Sequence, residues 1–467
     1  MFNDKTASES AMSAAAEASA SANDRRYGHG VLHVRGGKPL KGKVRVRGAK
    51  NTLPKNMVAA LLTDGDTQLH NVSQVRDVTI MAEMIQSMGG QVDNDEAAAT
   101  LRIHPNGIRP LSTQEAARYN GLSRIPILLC GPMLHRFREA FIPSLGGCNI
   151  GDRSINFHLQ SLQAMGAKLS SDSTGTTLSA PKGLRGAKIQ LDYPSVGATE
   201  QVILSAVLAR GETELVGAAV EPEIMDLICQ LQKMGAIITV DTDRVIRIEG
   251  VPSLKGCHHT ALPDRLESAS WACAALATDG RVEVEGARQL EMMAFLNLFR
   301  RAGGGFDVTD SGITFYRDSP ELRPVIFETQ PHPGFMTDWQ QPMVCALTQA
   351  HGVSVLHETV YEGRLGYIEQ LNQMGARIQT QRDCIGSRCR FGRLNHVHSA
   401  LIVGPTPLKG TRITIPDLRA GFSYVIAALC ASGESEVHNI ALINRGYDDF
   451  SEKMQALGAD FQLDGVI

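Results

Sequence analysis

Six times along the chain a helix-forming stretch ends in a glycine and passes at once into a short strand-like run: QSMGGQV, QAMGAKL, QKMGAII, RRAGGGF, NQMGARI and QALGADF. The glycines are Gly89, Gly166, Gly235, Gly303, Gly375 and Gly458, at intervals of 77, 69, 68, 72 and 83 residues. A companion phrase holds an alanine-rich helix, a glycine turn, a short strand and a polar loop. It reads AALLTDGDTQLHNV from Ala59, SAVLARGETELVGA from Ser205, AALATDGRVEVEGA from Ala274, CALTQAHGVSVLHET from Cys345 and AALCASGESEVHNI from Ala427. Such a repeat restricts the fold to copies of one supersecondary α/β unit. Each phrase-ending glycine stands where a helix needs a left-handed cap before the next strand, so a cap is expected at all six.

Six units in 467 residues are too many for one core, and two domains of three units each are expected. The first spans residues 49–262, and the second combines 28–48 with 263–467. The strand-like opening LHVRGGKPLKGKVRVRG has no repeat of its own and is expected to complete the second domain, giving a double crossover. Residues 1–27, rich in Ala and Ser, lack the apolar core of a signal peptide and read as a disordered tail. The five regular copies leave one irregular unit, ILLCGPMLHRFREAFIPSLGGCNIGDR. Local rules tend to fail at functional sites, so chemistry is sought there.

Composition removes several classes of partner. The net charge of -3 offers no general attraction for nucleic acid or a membrane surface, so an anion site must be built from local clusters of Lys and Arg. No run of about 20 apolar residues is available for a membrane helix. Nine cysteines without disulfide-like spacing suit a reducing, cytoplasmic setting.

The segments that lead into the alanine-rich helices are GAKN, GLSR, SVGAT, PDRLE, MTDWQ and PDLRAG. Helix N-termini present free N–H groups and the positive end of the dipole, which suits anions when Lys or Arg is added. Loops after the strands add Arg153, Glu221, Glu223, Arg364 and Arg445. Together Lys50, Arg124, Arg153, Arg364, Arg419 and Arg445, with the carboxylates Asp338 and Asp417, suit a small and highly charged anion. Cys148 follows two glycines in LGGCNIGD, a loop able to approach a ligand closely, and Arg153 nearby would favour its thiolate. Cys384, Cys389, His396 and His398 fall in the basic segment RDCIGSRCRFGRLNHVHSA. Their spacing matches no standard zinc pattern, so a solvated loop with incidental thiols is expected, and neither metal nor cofactor.

These motifs resemble those of the UDP-N-acetylglucosamine enolpyruvyl transferases, relatives of enolpyruvylshikimate phosphate synthase. The resemblance runs from about Gly30 to the end. It rests on GAKN, GLSR, LGGCNIGDR, SVGAT, EPE, LPDR, HPGFMTDWQ, ETVYEGR, PDLR and NRGY, in that order. It implies an inside-out α/β barrel in each of two domains, six βαβαββ units in all, with the active site in the interdomain cleft. It implies Cys148 as proton donor on a mobile loop, and Lys50, Asn51, Arg153, Arg364, Arg419 and Arg445 around phosphoenolpyruvate. Asp338 or Asp417 would act as base. The uridine nucleotide would meet Asn51, Arg124, Arg153, Ser154, Ile155, Asn156, Phe157, Ser195, Val196, Gly197, Asp338 and Val360.

Two departures touch the nucleotide. Ser154 and Asn156 stand where the family usually has proline and aspartate beside the uracil. Tyr193-Pro194 precedes SVGA where many members carry a lysine near the diphosphate. These changes admit UMP as a rival acceptor, as in nucleoside-antibiotic pathways. A non-catalytic nucleotide-binding paralogue and an RNA-terminal phosphate cyclase are further alternatives. Retention of Cys148, Lys50 and Asp338 argues against the first, and the absence of a basic stripe against the second.

Overall fold

The computed structural model describes residues 30–146, 154–172, 175–386, 389–391 and 394–465. All six expected caps are left-handed: φ is 97° at Gly89, 98° at Gly166, 105° at Gly235, 104° at Gly303, 100° at Gly375 and 75° at Gly458. Gly89 N donates to Gln86 O and Gly90 N to Ile85 O, the paired bonds of a Schellman motif, and the same pair recurs around Gly166, Gly235, Gly375 and Gly458. Each cap delivers the chain into a strand, from Gln91–Asp95 in the first unit to Asp460–Asp464 in the last.

Within a unit the two helices differ in kind. The alanine-rich helix is buried on every side, with its charged residues confined to the first turn: every residue of Arg265–Ala277 is buried, as is every residue of Leu418–Cys430 except Cys430. The helix before the glycine cap carries one apolar face, as in Met293–Arg301, where Phe295, Leu296, Leu298 and Phe299 are buried. Helices Arg265–Ala277, Thr337–Leu347 and Leu418–Cys430 pack on one another at the centre, and sheets surround them. This is the inside-out arrangement.

The hydrophobic interior falls into two clusters. One runs from Leu53 to Ala261, and the other joins Leu32–Val46 to Leu266–Leu457. Strand Val31–Arg35 lies between Glu434–His438 and Asp460–Asp464 in the last unit's sheet, with Leu32 facing Val437 and Leu463. Strand Lys41–Arg45 pairs in parallel with Arg281–Glu285, and His258–Thr260 pairs in parallel with Thr67–His70. The chain thus crosses between the cores twice, and the crossings meet at the Gly48–Pro263 bridge.

Among the described residues five sheets have four strands, and the sixth, Glu139–Ile142 with Gly175–Ser179 and Lys168–Asp172, has three. In this irregular unit a short helix, Thr113–Ala117, precedes the central helix; Ser112 and Glu115 close it as a capping box. No helix of the described residues is long and apolar enough to cross a membrane.

Candidate active site

The crossing places Lys50 and Asn51 between the cores. Lys50 Nζ is 2.6 Å from Asp77 Oδ2, and the carboxylate is 2% exposed. Burial pushes the Asp77 pKa up, but Lys50, Arg445 and a hydrogen bond from Ser123 outweigh it and leave the group below its ordinary value. Asp77 therefore holds one cation from the crossing and faces another from the second core. Asn51 O accepts from Lys55 Nζ at 2.6 Å.

Asp264 links this group to the next. It caps helix Arg265–Ala277 through Leu266 N at 2.7 Å and Glu267 N at 3.2 Å, and its Oδ2 accepts from Lys50 N at 3.4 Å. Asp417 is its repeat equivalent. Asp417 Oδ1 accepts from Arg419 N at 2.9 Å and Ala420 N at 3.3 Å, which caps helix Leu418–Cys430 and sets Arg419 in its first turn. The Arg419 guanidinium lies 5.6 Å over the Tyr447 ring, and Arg419 Nε is 3.8 Å from Asp338 Oδ2. Asp338, in the first turn of helix Thr337–Leu347, is also paired with Arg364 Nη2.

Two of these cations hold unmatched donors. Arg419 Nη1 and Arg445 Nε are buried and have no hydrogen-bond partner among the described residues. Buried polar groups in folded proteins are nearly always satisfied, and these two cationic donors are left to take a water or an anionic ligand.

The proposed nucleotide contacts gather on the first core. Arg124 opens the helical run Ile125–Leu129, and Ser195 caps helix Val196–Ala206 through Ala198 N at 3.4 Å. A Cβ added at Gly197 would lie 3.1 Å from His158 Nε2, so the bare backbone lets helix Asn156–Ala164 approach. Burial and the nearby Arg124 push the His158 pKa down to about 4. Ser154 and Ile155 lead into the same helix, and Asn156 and Phe157 begin it; Asn156 N donates to Ser154 Oγ at 3.2 Å. Val360 belongs to the second core. Its N–H donates to the buried Glu358 Oε1 at 2.7 Å, and its carbonyl accepts from Arg390 Nη1 at 3.3 Å. Cys148 and Arg153 lie outside the described residues.

Glu221 and Glu223, read from sequence as cleft-loop acids, do other work. Glu223 accepts two 2.9 Å bonds from Arg265, and Glu221 Oε1 accepts from His332 N at 3.3 Å. Arg244 adds a bond to His332 O. These contacts clamp the two cores together. Sequence reasoning missed Asp77, Tyr447 and the double duty of Asp264. The shared Pro-Asp of PDRLE and PDLRAG was the available signal for the last.

The profile of the EPSP synthase (3-phosphoshikimate 1-carboxyvinyltransferase) family matches residues 34–454. The chain is 46% identical to the UDP-N-acetylglucosamine 1-carboxyvinyltransferase of Protochlamydia amoebophila, over 93% of this chain and 94% of that one. It is 47% identical to the enzyme of the same name from Chlamydia abortus, over 93% and 98%. Among solved structures, the enolpyruvyl transferase NikO from Streptomyces tendae superposes with a TM-score of 0.83 at 23% identity, covering 94% of this chain and all of that one. An EPSP synthase from Acinetobacter baumannii gives 0.70 at 17%, with the same coverage. Fold, cleft and sequence identity agree: the chain belongs to the UDP-N-acetylglucosamine 1-carboxyvinyltransferase family of enolpyruvyl transferases.

Proposed function

We propose that the chain transfers the carboxyvinyl group of phosphoenolpyruvate to the 3-hydroxyl of UDP-N-acetylglucosamine and releases phosphate, a step toward peptidoglycan precursors. The unmatched donors Arg419 Nη1 and Arg445 Nε carry this reading. Lys50 and Arg445 both act on Asp77, and Arg419 lies against Asp338 and Tyr447; cations so grouped suit a molecule bearing both phosphate and carboxylate. Relatives 45–47% identical over more than nine-tenths of the chain share the one activity name, which supports the acceptor.

Asp338 is the proposed base. Arg364 and Arg419 hold its carboxylate beside the helix start, whereas Asp417 spends Oδ1 on capping and so serves to position Arg419. Asp338 takes the hydroxyl proton as the acceptor oxygen attacks C2 of phosphoenolpyruvate, and Cys148 delivers a proton to C3. Lys50, Arg445 and Arg153 balance the charge of the tetrahedral ketal. Loss of a C3 proton and of phosphate restores the vinyl group. Cations from both cores close on the same ligand, so binding favours domain closure. A cytoplasmic location goes with this reading, since both substrates are intracellular phosphate esters.

UMP is the rival acceptor; the relatives at 45–47% identity carry the UDP-N-acetylglucosamine activity name, and the likeness to NikO at 23% identity is one of fold. The test is phosphate release from phosphoenolpyruvate with UDP-N-acetylglucosamine or UMP, in the native chain and in Asp338→Asn. Turnover is expected with the first acceptor and to fall about 10²–10⁴-fold in the variant. Turnover with UMP alone would overturn the acceptor, and an unchanged kcat in Asp338→Asn would overturn the base.

A further inference from the structure

The excursion between strands Arg377–Gln381 and Ser399–Gly404 is exposed at Arg382–Ile385, yet its described residues are not free of the fold. It folds back on its own sheet so that four side chains converge. These are His357 at the end of strand Gly352–His357, His398 just before Ser399–Gly404, and Cys384 and Cys389 from the excursion. One donor atom from each lies within 4.8 Å of every other. Cys384 Sγ is 3.8 Å from His357 Nε2, and the two imidazoles are 5.3 Å apart at their centroids.

The outer partners of both histidines fix which nitrogen is free. His398 Nδ1 lies 2.8 Å from His396 O, a group that only accepts, so Nδ1 carries the proton and Nε2 presents a lone pair. That Nε2 is buried without a partner among the described residues, on a residue 0% exposed. His357 Nδ1 is 3.4 Å from Glu328 Oε2, which turns its Nε2 toward Cys384 in the same way. A carbonyl and a carboxylate behind two imidazoles are the usual outer shell of a metal site. Gly386 shows how closely the excursion is drawn in: a Cβ there would lie 2.2 Å from Glu328 Oε2 and 2.3 Å from His357 Nδ1.

We propose that His357, Cys384, Cys389 and His398 bind one divalent metal ion of the zinc class in a closed, tetrahedral Cys2His2 site. Two thiolates and two neutral imidazoles are the donor set that zinc prefers, and four protein ligands leave no open position for catalysis. Zinc–ligand bonds of about 2.0–2.3 Å require only a small contraction from the present spacing. Both thiols release a proton on binding, and the site is then neutral. Sequence spacing obscured the set because His357 comes from an earlier strand and His396 supplies a carbonyl rather than its ring.

The ion would also position a residue at the cleft. Arg390, next to Cys389, donates to Val360 O at 3.3 Å and lays its guanidinium 4.5 Å over Tyr193 of the other core. A metal-pinned excursion thus holds a cation beside the start of helix Val196–Ala206, where Tyr193-Pro194 leaves none. This last step rests on the nucleotide reading, and the metal site does not.

The experiment uses the full chain without a histidine tag, purified under reducing conditions without chelator. About one zinc per chain is expected by elemental analysis, and none in Cys384→Ser/Cys389→Ser. After chelation, cobalt(II) alone is expected to give the strong visible ligand-field and thiolate charge-transfer bands of a tetrahedral site. The metal-free chain is expected to show a several-fold higher KM for UDP-N-acetylglucosamine and an unchanged KM for phosphoenolpyruvate. No retained zinc together with no cobalt spectrum would overturn the site, as would a Cys384–Cys389 disulfide found by peptide mass in the fresh protein. A bound metal whose removal leaves the nucleotide KM unchanged would overturn the role given to Arg390, and a chain that binds metal yet turns over only UMP would overturn the acceptor alone.

Discussion

Arg265 and Glu223, 1% and 4% exposed, meet across the two cores through a pair of 2.9 Å hydrogen bonds, with Arg265 Nη1 on Glu291 O and the guanidinium 5.2 Å from the Trp339 ring centroid. Lys50, Asp77 and Arg445 also meet between the cores, but there Asp77 faces two cations and Arg445 Nε stays without a partner among the described residues. The residue types are the same and their satisfaction differs. A buried pair in which each guanidinium nitrogen has a partner serves to hold the cores in register. A buried cluster with excess cation and a spare donor costs stability until an anion arrives, which is the mark of a binding site.

That contrast breaks first at the closed pair. Glu223→Gln leaves a buried guanidinium half-matched and is expected to cost about 3 kcal/mol in denaturant unfolding. Arg265→Met combined with Glu223→Leu is expected to recover most of that loss, because packed apolar groups replace a buried pair at little cost. A loss below about 1 kcal/mol in the single variant would remove the clamp from the argument. The open cluster is expected to answer in the opposite sense. Arg445→Ala should raise the KM for phosphoenolpyruvate about 10–100-fold, about 1.4–2.8 kcal/mol, while thermal stability holds or rises. A matched drop in Tm would make Arg445 a structural cation instead.

The smallest effect concerns Glu200, which joins the two regions through its 3.6 Å contact with Lys55. Burial raises its pKa to about 7, with Glu223 and Glu221 adding to the shift and Lys55 opposing it. Between about pH 4.5 and 7 the folded chain then holds a proton that the unfolded chain has lost, so this group makes stability fall as pH rises through that window. The slope is at most about 1.4 kcal/mol per pH unit. Glu200→Gln is expected to flatten it in urea titrations, and an unchanged slope would return Glu200 to the ionised state.

Much of this was legible in the chain itself. The six cap glycines could be read because a helix ended by a positive φ is a local event, complete within a few residues. The helix starts carrying Lys50, Arg124, Ser195, Asp338 and Arg419 were legible for the same reason: an N-terminus offers free N–H groups wherever its helix later packs. The resemblance of ten ordered motifs then pointed to the reaction. Other assignments needed distance in space. Asp77 became a partner of Lys50 and Arg445 only when a first-core helix met a second-core loop, and Glu223 became a clamp only when Arg265 reached it from the other side of a crossover.

The excursion after Gln381 shows the division most sharply. Composition determined that it was basic and held two thiols and two histidines, and spacing argued against a metal. Tertiary structure brought His357 rather than the His396 ring beside the two thiols and buried His398, because which side chains meet is set by which strands lie side by side. By itself the sequence determined the repeat, its caps, the family and the identities of the charged groups, all of which are local or cumulative properties. Only the folded chain decided which charges are matched and which wait for a ligand, since satisfaction is a sum over neighbours that the chain brings together from hundreds of residues apart.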